Sequence, residues 1–160
     1  MRLTLVAVGK LKAGPDRDLF QRYWGRLEAS GRAVGLTSIT HIELPESRAA
    51  TAPERKADEG KRALKAAGSD AYVIALDETG KSLTSASFAQ FIRRLGDTGT
   101  SAVAFLIGGS DGHDMSVHKR AKLLLNLGTL TLPHGLARIV IAEQLYRATT
   151  ILTGHPYHRG

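Results

Sequence analysis

The chain reads as an α/β protein, a mainly parallel sheet flanked by helices, on three observations. Short runs of β-branched and apolar residues recur along the first two thirds of the chain, and segments with helical spacing lie between them. Some of the runs are apolar at successive rather than alternate positions. That last feature selects a parallel sheet, because only a sheet covered by helices on two sides buries both faces of a strand.

The run RLTLVAV, Arg2 to Val8, is the first strand. Residues 16–29 follow with helical spacing from Asp16, a residue that suits a helix N-terminus. LTSITHIEL, Leu36 to Leu44, is the second strand, and the loop LPESRAATAPE behind it is the one segment long enough to be mobile. A second helix is expected over 53–67, where Pro53 with Glu54 suits a first turn. Its charges mix in sign, Glu54 and Asp58 stand four apart, and Glu59 and Lys65 fall on exposed turns of a solvated amphipathic helix. DAYVIALD, Asp70 to Asp77, is the third strand. The third helix, 84–95, opens on Thr84 and Ser85, closes on Arg93 and Arg94 and stops at Gly96, as capping and the helix dipole favour.

SAVAFLIG, Ser101 to Gly108, is the fourth strand, and it breaks into a Gly-Gly turn that leads to another helix. KLLLNL and LTL are strand-like runs hinged at Gly128. The last helix runs from Pro133 to Gly154 and carries Leu136, Ile139, Val140, Ile141, Leu145, Ile151 and Leu152 on nearly every face. Such a helix must be covered on both sides, one against the sheet and the other against a second subunit, which predicts a two-fold homodimer. Its Arg138, Glu143 and Arg147 are expected in internal or intersubunit ion pairs, since an unpaired buried charge is costly.

With 160 residues and 42% hydrophobic content the chain has enough for one domain, residues 1–160. It has no cysteine, so disulfides, thiolate metal sites and a cysteine nucleophile are excluded, and a cytoplasmic address fits. The opening MRLTLVAVGKLK is too short for a signal h-region, and no apolar run reaches the roughly 20 residues that span a bilayer. A soluble protein without a membrane partner is expected. Twenty-two Lys and Arg against 15 Asp and Glu give +7, which favours polyanions and nucleic acid first among them.

The common nucleotide motifs are absent. VAVGKLKAGP follows the first strand where a dinucleotide fold needs G-x-G-x-x-G, and neither a P-loop nor H-E-x-x-H occurs. Among the histidines only His113 and His118 are close, five apart, which predicts no metal site. Ser110, Asp111 and His113 are too crowded for a hydrolase triad, whose members converge from separate segments.

The last third carries the chemistry. In AFLIGGSDG, Gly108 and Gly109 end a parallel strand, where α/β proteins bind ligands and bare backbone admits close approach. A tight turn alone is the plainer alternative. In KLLLNLGTLTLPHG a loop around Gly128 exposes backbone amides and carbonyls that can hold an adenine beside leucines. The closing GHPYHRG combines aromatic, imidazole and guanidinium groups able to stack on a base and contact phosphate, or is simply a polar tail.

The ordered set LVAVGKLK, LDETGK, LIGGSDG, LTLPH with ARIVIAEQLYRA, and HPYHR resembles the ribosomal RNA large subunit methyltransferase H family of the SPOUT superfamily, from end to end. His113, Asp114 and the segment Gly135 to Ala137, smaller than usual there, depart from that pattern. The resemblance implies a C-terminal trefoil knot and the cofactor S-adenosyl-L-methionine, bound at Leu76, Gly108, Leu127, Gly128, Thr129, Leu130, Thr131 and Leu132. It further implies methylation at N3 of a pseudouridine in the helix 69 loop of 23S rRNA, within the assembled ribosome, by a homodimer. Its tail maps onto His155, Tyr157, His158 and Arg159, with His155, Tyr157 and Arg159 on the substrate.

Methyl transfer is an in-line displacement that depends chiefly on alignment, and the N3 imide proton must leave. His158 is the candidate base, since histidine titrates near working pH. Tyr157 would orient the base, and Arg159 would stabilise developing charge or hold phosphate. Lys10, Lys12, Arg22 and Arg26 are candidates for the RNA-facing surface. A non-catalytic RNA-binding or ribosome-associated factor is the first rival, and a small-molecule enzyme using the glycine turn for phosphate the second.

Overall fold

The strands β1 (Arg2–Val8), β2 (Ser38–Leu44), β3 (Tyr72–Ser82), β4 (Ala102–Ile107) and β5 (Leu123–Asn126) pair in the order β2-β1-β4-β3-β5, parallel throughout. The computed structural model describes residues 1–160. The central strands are buried on both faces because their alternate residues feed two different cores. Leu3, Leu5 and Ala7 of β1 with Val103, Phe105 and Ile107 of β4 face α1 (Pro15–Gly31), α3 (Ser85–Asp97) and α5 (His134–Thr153). Val6 of β1 and Ala102, Ala104 and Leu106 of β4 face α2 (Ala52–Ala67) and α4 (Met115–Arg120). The second core is lined mainly by alanines, which lets those two helices lie close on the sheet.

Local signals set the helix boundaries. Pro15 opens α1 with Asp16 and Asp18 in the first turn, and a short 3-10 turn (Arg32–Val34) continues it. α2 starts one residue earlier than Pro53, capped by Thr51, whose hydroxyl accepts the Glu54 amide at 3.3 Å. Thr84 caps α3 in the same way, accepting the Ser87 amide at 3.0 Å. Gly154 ends α5 at φ 72°, a left-handed conformation that glycine adopts without steric cost.

Three expectations are corrected. β3 extends beyond Asp77 to Ser82, and its register breaks, because both Leu76 and Lys81 pair with Leu125 while residues 77–80 bulge out. LTL, residues 130–132, is not a strand, because β5 is the sheet edge and no strand lies beyond it to pair. Glu59 is only 4% exposed rather than on a solvated turn, because α2 turns that side toward the glycine turn after β4. Within one chain α5 buries Ile139, Ala142, Leu145 and Ala148 against α1 and α3. The stripe Leu136, Val140, Glu143, Arg147 and Ile151 is only partly covered.

Candidate active site

Parallel pairing brings the carboxyl ends of β1, β4, β3 and β5 to one edge of the sheet, so Gly9, Gly108, Leu76 and Leu127 lie along it. The turn after β4 closes with a Gly112 amide bond to the Gly109 carbonyl at 3.0 Å. Both leading glycines are required by space. A Cβ on Gly108 would lie 3.0 Å from the Gly112 carbonyl carbon, and one on Gly109 would lie 2.9 Å from Glu59 Oε1. Glu59 accepts the Ser47 amide on Oε2 at 2.8 Å, while its buried Oε1 has no protein partner. Arg55, one turn earlier on α2, donates to Asp111 at 2.8 Å and holds that carboxylate below its usual range. His113 packs under the turn with Nε2 3.3 Å from the Leu106 carbonyl, and burial pushes its pKa down.

The predicted cofactor loop is free of internal ties. No turn or loop backbone hydrogen bond involves residues 127–132, and Leu130 is 81% exposed. Gly128 bends the chain at φ 138°, a conformation that favours glycine. Its amide is held by Asn126 Oδ1 at 2.6 Å. Thr129 and Thr131 are exposed, and Leu76, Leu127 and Leu132 are half-buried. The loop therefore offers backbone donors and acceptors beside apolar side chains, at the strand ends where the glycine turn also lies.

The ion pair expected of Arg138 belongs to a polar cluster at the end of β1. Arg138 of α5, fully buried, donates to Glu43 and to the Gly9 carbonyl at 3.0 Å, and Glu43 accepts the Leu11 amide at 2.8 Å. His134, the first residue of α5, lies against Gly9 with its Nδ1 buried and unpartnered. An arginine in an apolar helix marks a buried pair, and that much was readable; the partner in β2 was not.

The closing tail folds back on α5. Tyr157 donates its hydroxyl to Glu143 Oε1 at 2.9 Å, and its ring lies 4.8 Å from the Arg147 guanidinium and 4.8 Å from the Tyr146 ring. Burial and then the Glu143 acceptor push the phenol's pKa up, so it stays protonated. Arg147 is paired with Glu143 at 2.6 Å and also donates to His158 Nδ1 at 3.1 Å. A guanidinium has no lone pair, so Nδ1 is the accepting nitrogen and the His158 proton sits on Nε2. His155 caps the helix end through its amide to the Thr150 carbonyl at 2.9 Å, and Arg159 is exposed.

No hydrogen bond joins the tail to the cofactor loop within one chain. His134 and Arg147 are 13 positions apart on one helix, which puts them about 20 Å apart at 1.5 Å per residue.

The family model for predicted SPOUT methyltransferases matches residues 1–158. Proteins named ribosomal RNA large subunit methyltransferase H are similar over nearly the whole chain. The one from Brucella anthropi is 52% identical and that from Rhizobium meliloti 51%, each over 99% of both chains. That from Methylobacterium sp. is 49% identical over 100% of this chain and 99% of its own.

Proposed function

We propose, from the premise that the chain belongs to the SPOUT methyltransferase family, that it moves a methyl group from S-adenosyl-L-methionine to N3 of a pseudouridine in the helix 69 loop of 23S rRNA. The acceptor is the assembled ribosome, the place of action the cytoplasm, and the unit a single domain over residues 1–160. The observation that carries this is the untied loop 127–132, with its uncovered Leu130, beside the bare glycine turn. Together they suit an adenosyl group. The free amides and carbonyls at 129–132 match a purine edge, Leu76, Leu127 and Leu130 supply apolar contact, and Gly108 admits close approach. Bound there, the cofactor supplies an electrophilic methyl carbon.

The chain's own residues align the acceptor and handle one proton. Tyr157, kept protonated by burial and Glu143, orients and stacks rather than acting as base. His158 accepts the imide proton on Nδ1 once substrate draws it away from Arg147. Arg159 is exposed and free for phosphate or for the developing imide charge. His155 contacts the same nucleotide from the start of the tail.

A working site needs the loop of one copy and the tail of another, since about 20 Å of helix separates them in one chain. A two-fold homodimer through the half-covered α5 stripe meets that need, and its centre is the Glu143–Arg147 pair that holds the tail. The reading includes a C-terminal trefoil knot. It is supported by the match to the SPOUT methyltransferase family over residues 1–158.

The test is transfer of labelled methyl from S-adenosyl-L-methionine to ribosomes lacking the modification, with the labelled nucleoside identified by mass spectrometry. Label on N3 of a helix 69 pseudouridine is the expected result. Cofactor binding with label elsewhere would reject the target, and ribosome binding with no cofactor binding would favour the non-catalytic factor.

A further inference from the structure

Side chains outside the chemistry above form a continuous brace beneath the cofactor loop. Asn126, the last residue of β5, accepts the Gly128 amide on Oδ1 at 2.6 Å and donates from Nδ2 to the Glu78 carbonyl at 3.0 Å. Glu78 belongs to the bulge 77–80, whose shape Asp77 sets. Asp77 Oδ1 accepts the Thr79 amide at 2.9 Å and the Thr79 hydroxyl at 2.6 Å, and Oδ2 accepts from His118 Nε2 of α4 at 2.8 Å. Hydrogen bonds thus run from the Gly128 hinge through the β3 bulge, immediately after Leu76, to the helix behind the glycine turn. Two of the three segments assigned to the cofactor, Leu76 and the loop 127–132, adjoin this brace, and its far end lies on the helix that follows the third.

The hinge needs such a brace. Glycine has the widest backbone freedom of any residue, and no other hydrogen bond restrains residues 127–132. A carboxamide can accept from one backbone segment through its oxygen and donate to another through its nitrogen at the same time.

We propose that Asn126 is a positioning residue for cofactor binding, holding the Gly128 hinge in its receptive shape while the Asp77–His118 pair anchors the bulge to α4. This rests on the reading of 127–132 as the cofactor loop. If loss of the brace leaves the receptive shape populated about one time in ten, apparent affinity falls about tenfold, because affinity scales with the competent fraction.

The experiment is titration calorimetry of S-adenosyl-L-methionine on the full chain and its variants, with thermal melts and hydrogen exchange at the Gly128 amide. Asn126→Ala is expected to weaken binding on the order of tenfold and to speed Gly128 exchange, with an unchanged melting temperature. Asn126→Asp, which keeps the acceptor but repels the Glu78 carbonyl, should also weaken binding. His118→Ala should weaken it less, and His118→Gln, which keeps a donor to Asp77, should restore it. Equal affinity for wild type and Asn126→Ala would overturn the inference, as would losses that merely follow falling melting temperature. A wild type that binds no S-adenosyl-L-methionine overturns the cofactor reading and this inference with it; that failure is recognised in the parent chain.

Discussion

Gly80 stands where two backbones meet. A Cβ there would lie 2.5 Å from the carbonyl carbon and oxygen of Leu124 and 2.7 Å from the Leu125 nitrogen, atoms that the β3–β5 ladder holds in place. Gly80→Ala should therefore lower stability by on the order of 2–3 kcal/mol in urea unfolding, as overpacking against unyielding atoms does. Gly25, inside α1 with nothing within 4 Å of its Cβ position, should show the opposite sign. Gly25→Ala is expected to gain about 0.5–1 kcal/mol. Equal effects at the two sites would contradict the packing described. Sequence shows two glycines and nothing of their neighbours, which is why Gly108, Gly109 and Gly128, at the ends of strand-like runs, stood out as ligand positions instead. Glu59 was misjudged for a related reason. Charge suggests solvent, but the space above Gly109 and the Ser47 amide receive its carboxylate.

Two residues one turn apart make α2 a clasp on the loops at the active edge. Glu59 holds the Ser47 amide, and Arg55 reaches both the Asp111 carboxylate and the carbonyls of Ala49 and Ala50. The loop after β2, which length alone marked as mobile, is thus tied at three points. The Arg55 hydrogen bond holds Asp111 below its unfolded pKa, so the pair's contribution is complete above about pH 4 and is lost as pH falls through the lower folded value. The stability gap between wild type and Asp111→Asn should then stay constant between about pH 5 and 8 and shrink below about pH 4. Urea unfolding across that range measures it, and a gap that widened on acidification would have the wrong sign. Five strands and the main helices were legible because burial imposes periods on the sequence. The bulge at 77–80 was not, since a register break leaves no period, and neither was the irregular 130–132, whose apolar residues mimic a strand.

At the scale of the whole molecule, the excess of positive charge and the proposed site split between two copies make separate predictions. Lys10, Lys12 and Arg22 are exposed, and Arg26 lies over the rings of Tyr23 and Tyr146 near the tail. Ribosome affinity should fall steeply with salt through counterion release, and affinity that stayed flat from low to moderate salt would reject a phosphate-binding surface. The split site is tested by complementation. A chain disabled in its tail by Arg159→Ala and a chain disabled in its loop by Gly128→Val should each be inactive as homodimers. Random assortment makes half of the mixed dimers heterodimeric, and in each of these one of the two sites combines an intact tail with an intact loop. Coexpression should therefore restore about one quarter of wild-type methyl transfer, as two-fold symmetry dictates. A site contained within one chain would restore none, because every loop-intact chain would carry the broken tail and every tail-intact chain the broken loop. The two arrangements thus differ in kind rather than in degree, and the 20-residue α5 that holds loop and tail apart is the reason they can be distinguished.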